Sequence, residues 1–187
     1  LMFGATLIAL SLPKTEGTLA LRSVKGEWRT LLSLKPFLRM TTIGFLAFLF
    51  LHGPMDIFPI YIRSRGGGLE IIRNMWLLML IPEIALMTLL GAGVRHIGPQ
   101  GIILVGIVAG GLRWILMSQA TSFSIIYPLQ ILHALTVTGL FLGGPLYLDT
   151  AIPPQLRSTA QAFYSMAGMG LGGTCSSLIT GWLLEAS

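Results

Sequence analysis

Residues 100–119 read QGIILVGIVAGGLRWILMSQ, a run whose only charged residue is Arg113. As a helix, roughly 20 residues cover about 30 Å, the thickness of a bilayer's hydrocarbon core. Four further apolar runs stand around it, at 37–62, 71–92, 125–147 and 159–183. Short polar breaks separate them at 63–68, 95–99, 120–124 and 149–157. Lipid offers backbone groups no water, so such runs are stable there as helices. The pattern predicts an all-α membrane protein with about five full crossings. Composition points the same way. The 187 residues are 53% hydrophobic and 10% charged, against roughly 25% charged in soluble domains. That leaves too few charged side chains to cover a water-facing surface. The 23 glycines and 10 prolines also suit membrane helices.

Toward the N-terminus, Leu1–Leu12 is apolar but too short to cross. No basic region precedes it and no small-residue cleavage site follows, so it is not read as a signal peptide. It reads as the end of a membrane helix, stopped by Pro13 and Lys14, in which the chain begins. Residues 13–36 form the one long polar segment, with Glu16, Glu27, Lys14, Arg22, Lys25, Arg29 and Lys35. Within it, Trp28, Leu31 and Leu32 suit a short helix at the membrane interface.

If 13–36 is cytoplasmic, alternation places 95–99 and 149–157 on the same side. Eight basic residues (Lys14, Arg22, Lys25, Arg29, Lys35, Arg39, Arg95, Arg157) then face three outside, Arg63, Arg65 and Arg73, as the positive-inside rule prefers. The net charge of +5 is thus topological. Nucleic-acid binders set their basic residues in a stripe with aromatics, and no nucleic-acid partner is expected. Cys175 is the one cysteine, so no disulfide forms within the chain and no cysteine metal site exists.

An ionisable side chain at membrane depth costs at least ~2.5 kcal/mol, which makes each one a functional candidate. His52 and Asp56, four apart, share a helix face. They read either as solute or proton contacts in a cavity or as an interfacial pair beside Pro54 and Pro59. Glu83 follows Pro82 in mid-span with no partner nearby in sequence. It reads as a carboxylate on a water-filled cavity, the alternative being a structural ion pair. Arg113 needs a carboxylate or water, and Glu83 and Asp56 are its candidate partners. Gln130 and His133, three apart, lie on neighbouring faces. His133 suits proton or hydroxyl contact, or a plain interhelical hydrogen bond. Asp149 reads as a loop contact to Arg157 or Arg95.

In the last run, Gly168 and Gly172 form a GxxxG spacing, which Ser177 and Gly181 repeat. Small residues let helix backbones approach closely, so this is a packing surface and not a chemical site. No GxSxG, Walker loop, HExxH or Cys/His cluster is present. The chain is therefore not read as an enzyme, and no cofactor or metal is expected.

Three motifs carry a resemblance: LQILHALT at 129–136, Tyr147-Leu148-Asp149, and PPQLRSTAQA at 153–162, which opens the Gly-rich run. With Ile81-Pro82-Glu83 they resemble the major facilitator superfamily, nearest to its nucleoside–proton symporters and lactose-permease-like branch. The resemblance implies the C-terminal half of a twelve-helix bundle, from the end of helix 6 (1–12) through helix 11. Residues 13–36 are then the cytoplasmic linker between halves, 37–187 hold helices 7–11, and helix 12 is missing. Glu83, Arg113 and His133 fall on helices 8, 9 and 10, which carry Glu, Arg and His in coupling in that branch.

The implied function is proton-coupled symport of a small polar solute, a nucleoside or sugar, by alternating access in a bacterial inner membrane. Its partners are solute, protons, the bilayer and the N-terminal half. The rival is export of hydrophobic compounds on the same fold. The chain also departs from the pattern. Gly91–Gly98 lacks the acidic residue of the usual loop, Ala134 stands where Gly is common, and no basic residue follows Asp149.

Overall fold

The computed structural model describes residues 27–186, apart from the side chains of 27 and 90–96. The segment Leu1–Leu12 and most of the polar stretch 13–36 lie outside the described residues. Those described fold into helices and turns. A short helix α1 (Glu27–Ser33) leads into α2 (Lys35–Ser64). Helices α3 (Leu69–Leu89), α4 (Ile97–Gln119) and α5 (Phe123–Ala151) follow. A 3-10 turn, Pro154–Leu156, opens a last helical run, α6 (157–185).

By length and composition α2, α3, α4 and α5 can each cross a membrane. The fifth expected crossing, α6, is also helical throughout, but its glycines, serines and threonines dilute its apolar content. Many large apolar residues lie on the outside, such as Phe50 (70% exposed), Leu89 (72%) and Trp182 (66%). A water-soluble monomer rarely tolerates so much open apolar surface, whereas lipid or a further helix bundle covers it at no cost.

Local chemistry sets the boundaries. Pro36 lies in the first turn of α2, where its missing N–H is no loss. The helix ends at Gly66, whose φ of +81° suits glycine. There Gly67 N–H donates to Ile62 O and Gly66 N–H to Arg63 O, both at 2.9 Å, a glycine-closed helix end. Pro54 and Pro59 sit inside α2 without interrupting it.

Between Leu69 and Gln119 the one residue with non-helical angles is Gly98 (φ +70°), just before Pro99. The reversal is therefore narrower than the loop expected at 95–99. Beyond it the two helices run antiparallel: Ile72, Met75 and Met79 share a core cluster with Met117 and Ala120. The break expected at 149–157 also starts later. Asp149 is still helical, and it accepts a 2.8 Å hydrogen bond from Gln161 Nε2 in place of a contact to Arg157; the side chain of Arg95, its other expected partner, lies outside the described residues. Arg157 Nε instead donates to Ile152 O.

Two close helix contacts organise the molecule. Along α4 and α5, a Cβ on Gly106 would lie 2.7 Å from Gly139 Cα, and one on Gly143 2.8 Å from Ile103 Cγ1. Along α2 and α6, a Cβ on Gly172 would lie 2.7 Å from Phe45 O, and one on Gly168 2.7 Å from the Phe48 ring. Gly168 and Gly172 thus pack as their spacing predicts. Gly181 does not, since a Cβ there meets open space. Both contacts carry a π-helical segment, Gly139–Gly143 in α5 and Met166–Gly172 in α6. Tyr164 joins them: its hydroxyl donates to Leu140 O at 2.9 Å, and its ring lies over Gly44 and Gly144.

Candidate functional site

Helices α2, α3 and α5 converge on a cavity of about 520 Å³. His52 and Asp56 reach it from one face of α2, as a spacing of four requires. Glu83 and Trp76 reach it from α3, and His133, Val137 and Phe141 from α5. Phe48 and Met55 fill the gaps along α2. Four of the six residues singled out in the sequence therefore meet on one wall system. Asp56 accepts a hydrogen bond from the Ser177 hydroxyl of α6.

The other two, Arg113 and Gln130, lie behind that wall, both fully buried. Arg113 Nη2 donates to Gln130 Oε1 at 2.7 Å. Its Nη1 meets Met55 Sδ at 3.3 Å and His133 Nδ1 at 3.4 Å, while Met79 Sδ lies 3.9 Å from Nη2. The Trp114 ring stacks at 4.4 Å from the guanidinium carbon. Gln130 is held in turn, its Nε2 donating to Ile126 O at 2.8 Å. A guanidinium only donates, so in this contact His133 Nδ1 is the acceptor.

The expected ion pair is not formed. Among the described residues neither Glu83 nor Asp56 touches Arg113, whose contacts are one amide, one imidazole, two thioethers and the rings of Trp114 and Phe58. Its Nε has no hydrogen-bond partner among the described residues. A buried cation in a wholly neutral shell is costly, and such a site is suited to exchange a neutral contact for an anionic one. No group of three His, Cys, Asp or Glu side chains gathers as a metal site among the described residues.

Against this geometry the family can be read. Residues 13–187 match the MFS_1-like family along their whole length. The chain belongs to the MFS_1-like family. It is also 27% identical, over 186 residues, to the maltose permease of Geobacillus stearothermophilus. That match covers 97% of this chain and 46% of the permease, so the chain spans less than half the length of that relative. No solved structure matches it. At family level this is a major facilitator chain and an integral, multi-pass membrane protein, with four helices each long and apolar enough to cross a membrane.

Several site residues of this chain escaped the sequence reading. Trp76 lies seven before Glu83, two turns along the same helix face, so a helical projection from Glu83 reaches it. Met79 lies four before Glu83, and Met55 adjoins Asp56. A methionine in an apolar run carries no signal of its own. Ser176 is similar: its hydroxyl accepts the Gly53 N–H at 2.6 Å, a contact visible only once α2 and α6 are docked.

Proposed function

We propose that this chain forms the C-terminal half of a proton-coupled symporter for a ring-shaped polar solute, a sugar or nucleoside. Helices α2 to α6 then correspond to helices 7–11 of the twelve. Residues 1–12 are the end of helix 6, and 13–36 are the cytoplasmic linker. Two such halves enclose a site near the bilayer midplane and rock about it, here in a bacterial inner membrane.

The observation that carries the reading is the gathering of His52, Asp56, Glu83 and His133 on one cavity. A purely apolar cargo would desolvate these groups with nothing in return. A hydroxylated ring can hydrogen-bond the carboxylates and imidazoles and lay its face on Trp76, Phe48 or Phe141. Kinship with a maltose permease supports a sugar. In this scheme Glu83 and His133 exchange the proton, His52 and Asp56 contact the solute, and Arg113, positioned by Gln130, balances the charge.

A second reading is export of hydrophobic compounds, favoured by the Phe48, Met55, Trp76 and Phe141 lining. One experiment separates the two: uptake of a sugar and nucleoside panel by the complete transporter in proteoliposomes under an imposed proton gradient. The proposal expects gradient-driven accumulation of a panel member. Glu83→Gln should abolish accumulation while keeping solute exchange. If nothing on the panel moves, or the variant accumulates like the parent, symport through Glu83 is wrong and export leads.

A further inference from the structure

Between Arg113 and the cavity stand two side chains. Met55 and His133 both touch the guanidinium and both line the cavity, while Arg113 itself is 0% exposed. His133 is fixed in α5, most of its surface buried. Met55 differs from it in three ways. It is only partly buried. It has three rotatable side-chain bonds and adapts its shape readily. Its thioether is also a weak acceptor for a cation, so the contact it makes with Nη1 is one a carboxylate replaces at a gain.

We propose that Met55 is a positioning residue, a thioether gate that closes Arg113 off from the cavity. Swinging aside, it admits an anionic oxygen of the cavity to the guanidinium. The cavity holds two carboxylates that can supply that oxygen, Glu83 of α3 and Asp56 of α2. Asp56 is occupied by Ser177 in the closed arrangement, whereas Glu83 makes no hydrogen bond with any described residue. With the gate shut, cation and carboxylates are kept apart. With it open, either carboxylate can be held ionised by Arg113. Met79, the other thioether, does not line the cavity, so the gate is a single side chain.

The proposal takes the cavity to be the solute pathway, but its test needs no transport. The complete transporter is treated in detergent with an arginine-specific dicarbonyl reagent, and modification of Arg113 is followed by peptide mass spectrometry. In the parent and in Met55→Leu, which keeps the bulk, Arg113 should stay protected. In Met55→Ala its labelling should rise several-fold, and Met55→Ser serves if the alanine variant is not monodisperse. Labelling that stays at the parental level in both truncations overturns the gate. Adding Glu83→Gln or Asp56→Asn to the open variant then identifies the capping carboxylate, as the double variant that labels faster still. If neither does, the carboxylate exchange is overturned. Labelling that behaves as expected in a protein that transports nothing would sink the functional reading and leave the gate standing.

Discussion

The two close helix contacts differ in what faces each glycine. Between α4 and α5, glycine meets glycine: Gly106 and Gly139 each stand where the other's Cα leaves no room for a side chain. Between α2 and α6 Gly172 meets Phe45 O at 2.7 Å and Gly53 meets Ser176 O at 3.1 Å, while the nearest atoms to Gly168 and Gly173 belong to the rings of Phe48 and His52. A ring can turn, whereas a backbone cannot. The polar contacts divide in the same way. Arg113 and Gln130 are buried along the α4–α5 contact, and the α2–α6 contact uses serine hydroxyls, which reorient freely. The cavity is built across both. His133, with Arg113 behind it, belongs to the rigid pair, and His52 and Asp56 belong to the adjustable one. Rocking within this half would then move His52 and Asp56 relative to a fixed Arg113–His133 unit.

The largest effect should come from Gly106→Leu. Overfilling a tight contact costs about 1–3 kcal/mol even where neighbours yield, and here the obstacle is Gly139 Cα at 2.7 Å and Leu135 O at 3.0 Å. Loss of monodisperse protein on size-exclusion chromatography is expected. Gly168→Ala, which presses only on the Phe48 ring, should remain monodisperse with a lowered unfolding temperature. Equal damage from both would erase the difference between the contacts. Next is Gln130→Leu, which strips Arg113 of its 2.7 Å acceptor. Hydrogen bonds to charged groups are worth ~1.5–3 kcal/mol, and thermal unfolding in detergent should register a loss in that range. Gln130→Glu supplies the missing anion permanently. It should unfold at or above the parental temperature while losing gradient-driven uptake, because Arg113 no longer needs a cavity carboxylate. Ser176→Ala should cost ~1 kcal/mol, since Gly53 N–H loses its hydroxyl partner at 2.6 Å.

The helices were legible because lipid imposes a simple demand, and long apolar runs broken by charge mark it directly. The cavity wall was legible for a related reason. His52, Asp56, Glu83 and His133 are ionisable at membrane depth, and each stands out against an apolar background. What satisfies Arg113 was not legible, because electrostatic reasoning searches for an opposite charge. The structure answers with an amide, an imidazole and two thioethers, none of them an opposite charge. Asp149 shows the same limit: Arg157 was an expected partner, and an amide, Gln161, donates to it instead. The α4–α5 contact was missed for a different reason. Gly106 and Gly139 lie on separate runs, and spacing within one helix does not reveal a partner on another.

The smallest expected effect tests the weaker half of the glycine pattern. Ser177 and Gly181 repeat the spacing of Gly168 and Gly172, and spacing alone would assign both pairs the same role. The structure separates them: a Cβ on Gly181 meets nothing within 4 Å, and Ser177 turns to Asp56 at the cavity side. Gly181→Ala should therefore change stability by no more than about 0.5 kcal/mol, as substitutions away from packed features do. Thermal unfolding of the complete transporter measures this directly. A loss as large as that from Gly168→Ala would mean that the open end of α6 is covered by helices beyond this chain. The α2–α6 contact would then be one face of a wider packed layer, and its freedom to adjust would have to be sought at Phe48 and His52 alone.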